Sequence, residues 1–360
     1  MLYSSSIGLD VHARSIKAAA FISLTGELIE KSFGYDAQSL GAWIHTLPKP
    51  VQCIYESGPT GFDLFRKLDE QGITCFVGAV TKMLRPIGDR IKNDKRDAIF
   101  LARMLATGNI VPVYVPTPAE EAARDISRAR EDLRQNLTRA KHHLMKFLLR
   151  KGITYDLGKT TWTKTYRLWL ESLSFSQPDE QLVFEEYLLS IADLECKRER
   201  LDRAIKQRSK ELPWAETVSR LVCLRGISTT IAFALVTEIG DFTRFKTAGS
   251  FASYLGLVPS LNESGQSCSR GRITKTGNTH IRKLLVEAAW HCQRPLRPFT
   301  GVKAEPQIHE SVRLIATEAN IRLHKRSLHL RQRKLPACKV NVAVARELAQ
   351  WIWRLALMQA

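Results

Sequence analysis

The period of the apolar positions changes along the chain, and the changes divide it. Over the first 115 residues, short apolar runs alternate with helical patterns. SSIGLDVH, SIKAAAFIS and GELIEKSFGY predict three strands, with Thr25-Gly26 as a hairpin turn between the second and third. AQSLGAWIHTL predicts a helix and VQCIYESG a buried strand. TGFDLFRKLDEQG has helical spacing and a Gly stop, and ITCFVGAV is the next strand. DAIFLARMLATG predicts a helix, and IVPVYVP a final strand-like run. A three-stranded meander followed by alternating helices and strands implies an α/β domain with a mixed sheet, residues 1–116.

From Pro118 the pattern becomes one long amphipathic helix to about Lys151. A less regular stretch, 153–178, precedes a second long helix that Pro213 ends. The pair suggests a coiled-coil arm over residues 117–214. Residues 215–360 read as mainly helical, with a polar loop at VPSLNESGQSCSRGRITKTGN and a basic tail. Leu224-Arg225-Gly226-Ile227 lies where a helix-hairpin-helix-like element carries its glycine, so that backbone amides at a helix start face a phosphate.

Charge adds a partner to this picture. The 360 residues hold 54 Lys and Arg against 36 Asp and Glu, a formal charge of +18, and such an excess points to a polyanion. The excess is uneven: from Gly265 to Arg346 there are 17 basic and 4 acidic residues. The seven cysteines are scattered without zinc-ligand spacing, which suits a reducing compartment. The N-terminus lacks the pattern of a secretory signal. No stretch is apolar enough to span a membrane; the tail VAVARELAQWIWRLALM reads as an amphipathic helix. The expected location is cytoplasmic and nucleoid-associated.

Four acids have the placement that metal-dependent phosphodiester chemistry requires. Asp10 ends the first strand and Glu56 the fourth, while Asp94 and Asp97 open a helix with a spacing that puts both on one face. Carboxylates at adjacent strand ends can hold one or two Mg²⁺ ions, with Mn²⁺ as the alternative, to clamp the attacking and leaving oxygens. Taken singly, Asp10 is also an ordinary turn residue, and Asp94 and Asp97 are ordinary helix-dipole charges.

GLDVH, YESGPTG and KNDKRDA, in this order, resemble the Asp-Glu-Asp-Asp domain of the insertion-sequence-110 transposases. The stretch from Leu224 to Leu285 resembles that family's second domain, named after insertion sequences 116, 110 and 902. The resemblance implies a RuvC-like, RNase H-like fold for the first domain. It implies a recombinase that moves its own element, guided by a structured non-coding bridge RNA that pairs with target and donor DNA. It also implies homo-oligomers, dimer to tetramer. Asp10, Glu56, Asp94 and Asp97 match the metal-binding acids. A serine nucleophile is implied in LGLVPSLNESG, and Ser264 is the candidate; Ser260, Ser267 and Ser269 are weaker ones, and Glu263 departs from the family's serine pair.

The following segment, SRGRITKTGNTHIRKLL, supplies the expected nucleic-acid contacts: Arg270, Arg272, Lys275, Asn278, Arg282 and Lys283. The tail HKRSLHLRQRKLPACK is denser in charge but lacks the interleaved aromatics of a single-strand stacking platform. Arg14 and Lys17 are basic too, but no local pattern singles them out. Two other functions fit the residues: a RuvC-like structure-specific nuclease using only carboxylates and water, and a non-enzymatic RNA- or DNA-binding derivative.

Overall fold

The computed structural model describes residues 3–79, 94–264, 267–294 and 308–358, and within these it leaves aside the side chains of residues 94, 95, 262, 264, 267, 268 and 270. The chain forms two compact units, Met1–Pro116 and Thr117–Ala360.

The first unit is built on one sheet. Its strands are β1 (Ser5–Val11), β2 (Ser15–Ile22), β3 (Leu28–Gly34), β4 (Val51–Glu56) and β5 (Thr74–Gly78), in the order β3-β2-β1-β4-β5. The β1–β2 and β2–β3 pairs are antiparallel, whereas β1–β4 and β4–β5 are parallel. The sheet is therefore mixed, as the alternating pattern predicts, and it fits an RNase H-like domain. At Thr25-Gly26 the chain turns as expected, with Gly26 at φ +73° and its amide bonded to the Ile22 carbonyl at 2.8 Å.

Each strand sends alternate residues to opposite faces. Ile7, Leu9, Ile16, Ala18, Cys53 and Tyr55 pack against α1 (Ala37–His45) and α2 (Asp63–Asp69) in one core. Ile54 packs with Leu101 and Leu105 of α3 (Asp94–Ala106) on the other face. IVPVYVP departs from its strand-like reading. It lies along β5 through bonds such as Val113 N to Val77 O at 2.7 Å, but forms only an isolated bridge at Pro112. Pro112 and Pro116 carry no N–H, so the ladder cannot continue.

The second unit contains the long helices α4 (Pro118–Arg150) and α6 (Pro178–Arg208), separated by the short α5 (Lys164–Glu171). The ion pairs Arg130–Asp202 and Lys141–Glu195 show that α4 and α6 run antiparallel. Thr117 caps α4 through a reciprocal capping box with Glu120, and Pro118 fills the first turn. Next come α7 (Ala215–Leu221), α8 (Thr229–Ile239), α9 (Ala248–Tyr254), α10 (Thr279–Ala289), α11 (Glu310–Gln332) and α12 (Ala337–Ala356). The apolar stripe of α12, from Val340 through Val344, Leu348 and Ile352 to Leu355, is buried in the core of this unit with Phe233, Leu285 and Leu323. The amphipathic tail is thus a core helix. Among the described residues, no helix is long and apolar enough to cross a membrane.

A second element differs from its reading. The polar loop after Pro259 is a two-stranded hairpin, β6 (Pro259–Ser264) and β7 (Ser267–Ile273). Its residues are too polar and small for an apolar alternation to reveal it.

Candidate functional site

The carboxylates come together through register and one glycine. Parallel pairing of β1 with β4 sets Leu9 opposite Tyr55. One residue further, the strands carry Asp10 and Glu56. Since Leu9 and Tyr55 face the α1/α2 core, Asp10 and Glu56 both face the α3 side. On that side α3 crosses β1 at Gly8. A Cβ on Gly8 would lie 2.0 Å from the Ala98 carbonyl oxygen and 2.5 Å from the Ala102 amide nitrogen. Only the missing side chain admits the helix so close. Asp97 directly precedes Ala98, so the contact brings the start of α3 to the strand that bears Asp10.

The Asp10 side chain is 21% exposed, and its Oδ2 stands 3.2 Å from Nε2 of His12. Glu56 is exposed and Asp97 half-buried. Asp94 begins α3, but its side chain is outside the described residues. The donor set is entirely oxygen, which suits Mg²⁺ or Mn²⁺. Among the described residues, no three His, Cys, Asp or Glu groups stand close enough together to hold an ion. The geometry thus places two carboxylates side by side and a third on the helix that abuts them.

In the second unit, the hairpin register pairs Ser264 with Ser267, at the ends of β6 and β7. The Ser264 side chain, like those of Ser267 and Arg270, lies outside the described residues. Ser260 and Ser269 are exposed on the two strands.

The basic candidates divide by environment. Arg272 and Lys275 are exposed. Lys275 has φ +56°, in the turn that leads to α10. Asn278 caps α10: its Oδ1 accepts from the Ile281 amide at 3.0 Å, and its Nδ2 donates to Glu238 Oε2 at 2.8 Å. Arg282 points inward. Its guanidinium donates to the carbonyls of Leu255 and Thr276 at 3.0 and 2.8 Å and to Thr279 Oγ1 at 3.1 Å, and burial pulls its pKa down. Lys283 is exposed and pairs with Glu131 of α4 at 3.1 Å. Gly277 completes the turn, with φ +71° and a would-be Cβ only 1.8 Å from the Tyr254 carbonyl oxygen.

A polar network that sequence reading misses holds this region. Glu238 of α8 is buried and receives both arms of Arg128, at 2.6 and 3.0 Å, besides Asn278. Burial pushes its carboxyl up, but these donors prevail and hold the pKa below the usual range. Glu131 is likewise pushed up by burial, yet hydrogen bonds from Arg134 and Lys283 bring it down to about 2. The available signal was a Glu in the otherwise apolar run IAFALVTEIG, where a buried acid needs partners.

The α7–α8 connection has Gly226 at φ +86°, its would-be Cβ 2.4 Å from the Ala288 carbonyl oxygen. The Arg225 amide donates to Asn320 Oδ1 at 2.8 Å.

Two family models match the chain. Residues 7–152 match a transposase model of the Asp-Glu-Asp-Asp type found with insertion sequence IS110, and residues 218–299 match the transposase IS116/IS110/IS902 family. The chain is 34% identical to a Sinorhizobium fredii protein provisionally named transposase y4qE, across 97% of this chain and 88% of that one. It is 32% identical to the transposase for insertion sequence element IS1533 of Leptospira borgpetersenii, across 91% and 98% of the two chains. The transposase for IS1111A of Coxiella burnetii is 22% identical over 61% of this chain and 60% of its own.

The chain belongs to the IS110 family of transposases.

It is therefore an insertion-sequence transposase, an enzyme of DNA transposition. Both model matches span the residues singled out above: the acids in the first match, the serine hairpin and basic turn in the second.

Proposed function

We propose that this transposase cleaves and rejoins DNA strands with Ser264 as nucleophile and Asp10, Glu56, Asp94 and Asp97 as holders of Mg²⁺ or Mn²⁺, guided by a structured non-coding RNA. The observation that carries the reading is the β1–β4 register, which ends in two carboxylates on the face where α3 begins. A divalent ion held there supplies Lewis-acid polarisation of a phosphodiester and lowers the pKa of a nearby hydroxyl.

In this reading Ser264 Oγ forms a bond to phosphorus as the bond to a deoxyribose oxygen breaks. The serine proton ends on the departing oxygen. A hydroxyl of the second strand then displaces the serine, so the phosphodiester is restored without an external energy source. Arg270, Arg272, Lys275 and Lys283 contact phosphates, while Asn278 and Arg282 shape the turn that presents them. The α7–α8 turn acts as a helix-hairpin-helix-like contact to a backbone, and the α4–α6 pair as a coiled-coil arm. The division into residues 1–116, 117–214 and 215–360, association of two to four copies, and action at the nucleoid in the cytoplasm belong to the same proposal.

The test is a denaturing gel of full-length protein with its element's DNA and the RNA that copurifies with it. A covalent protein–DNA adduct is expected, lost in Ser264→Ala and in Asp10→Asn. Cleavage that persists in Ser264→Ala, with no adduct, would mean a water-using nuclease instead.

A further inference from the structure

On the carboxylate face of the five-stranded sheet lies an open cleft of about 300 Å³ to which the reading above gives no role. Its wall includes Lys17, Ala19, Glu30, Ser32 and Ala98. The strand register explains this composition. Asp10 of β1 stands opposite Lys17 of β2, and Lys17 opposite Ser32 of β3. Directly opposed residues share a face, so these three form a row across the sheet that starts at Asp10. The neighbouring row is Gly8, Ala19 and Glu30. Its two small members let α3 lie against β1 and β2, and Ala98 of that helix closes one side of the cleft.

Lys17 is half-buried here, and its Nζ donates to Ser32 Oγ at 3.0 Å. An ammonium carries three donors and a hydroxyl both donates and accepts. The pair can therefore grip an anionic oxygen together while keeping its own bond. Lys31 also borders the cleft, but strand alternation turns its side chain to the opposite face, where the ammonium lies 5.4 Å from the Phe33 ring centre. Glu30 stands two residues from Ser32, about 7 Å along β3, and is already engaged. An anion is thus directed to the Lys17–Ser32 end.

We propose that Lys17 and Ser32 form a subsite for a backbone phosphate of the nucleic-acid strand whose adjoining phosphate reacts beside Asp10 and Glu56. The inference rests on the acid-centred reading above and names the part of that site that binds the strand. A cluster of carboxylates repels a phosphodiester, so a strand passing it needs a fixed cation on the same face. Lys17 is one strand away from Asp10, about 5 Å, and is the only such cation among the described cleft-facing side chains. It is a positioning residue: it holds the strand and does not touch the bond that breaks.

The test is lysine acetylation of the full chain, read by mass spectrometry, with EDTA present so that no metal is needed. The probes are a single-stranded DNA oligonucleotide and an RNA of the same sequence. Lys17 acetylation is expected to fall severalfold with probe, while Lys31 is unchanged. Protection by DNA supports the subsite for the reacting strand, and protection by RNA alone, which would place the guide there instead, overturns it. Lys17→Gln should lower the salt dependence of binding by about one phosphate contact, and Lys17→Arg should restore it. In cleavage, Lys17→Gln should raise KM more than it lowers kcat. Equal acetylation with and without both probes, or equal protection of Lys31, overturns the proposal. Asp10→Asn separates the two readings: it should lose cleavage yet keep Lys17 protection.

Discussion

Replacing Gly8 by alanine tests the step on which the site depends, the descent of α3 onto β1. The added Cβ would meet the Ala98 carbonyl oxygen at 2.0 Å, where ordinary contact begins at 3.4 Å. Both atoms that it meets most closely belong to the helix backbone, so no side chain can swing aside. The helix must retreat from the sheet by roughly 1 Å or more, and overpacking of this kind costs about 1–3 kcal/mol. A melting temperature lower by several degrees is expected. Asp97 moves with the helix, whereas Asp10 and Glu56 stay with the strands. A misplacement near 1 Å costs on the order of 10²-fold in rate. The assay is single-turnover strand cleavage beside a thermal melt, with DNA binding as the control. Binding should persist. An unchanged melt would refute the packing argument. A lowered melt with wild-type cleavage would refute the claim that α3 carries part of the site.

Other outcomes follow from the same structure. Glu56→Gln should lower cleavage by several orders of magnitude without changing the melt, since the side chain is exposed; a melt that drops with the activity would give Glu56 a structural role instead. Glu238→Ala leaves Arg128 and Asn278 without their shared acceptor; Arg128 is half-exposed and can turn to water, so the loss is that of hydrogen bonds to a charged group, about 1.5–3 kcal/mol; the melt of the second unit should fall by several degrees, and an unchanged melt would show the network to be dispensable. Glu131 and Glu195 are both held at about 2, in each case because basic donors overcome the upward push of burial. Their carboxylates therefore stabilise the fold above pH 4.5, and that contribution disappears as the pH falls towards 2. Glu131→Gln with Glu195→Gln should flatten the stability profile in that window, which acid titration followed by circular dichroism measures. Gly277→Ala should destabilise through both its positive φ and its clash with the Tyr254 carbonyl; a wild-type melt would contradict that contact.

The first unit was largely legible because its elements announce themselves by period. Ile7 and Leu9 alternate with Gly8 and Asp10, and the run from Val51 to Tyr55 stops at Glu56, so the sheet and both strand-end acids follow from pattern. That Asp10 and Glu56 are neighbours depends on strand order, which only the pairing of β1 with β4 reveals. Gly8 was silent in the sequence, because its meaning lies in a helix almost a hundred residues away. The β6–β7 hairpin was hidden by its polarity. Arg282 and Lys283 looked alike as adjacent basic residues, yet one faces the Leu255 and Thr276 carbonyls and the other reaches Glu131 from the surface. A helix shows its neighbours different sides, and charge alone does not record which.

The serine hairpin has a consequence for how such a site can vary. A two-stranded ribbon turns successive residues to opposite sides, so a single insertion or deletion between Pro259 and Ser264 would invert the side on which the terminal serine emerges. Substitution cannot repair such an inversion; only a second length change, or a slip at the irregular pairing between Pro259 and Leu261, can. Under the proposed role of Ser264, spacing matters as much as chemistry, and a ribbon shortened by one residue is expected to lose strand cleavage with every named side chain still present.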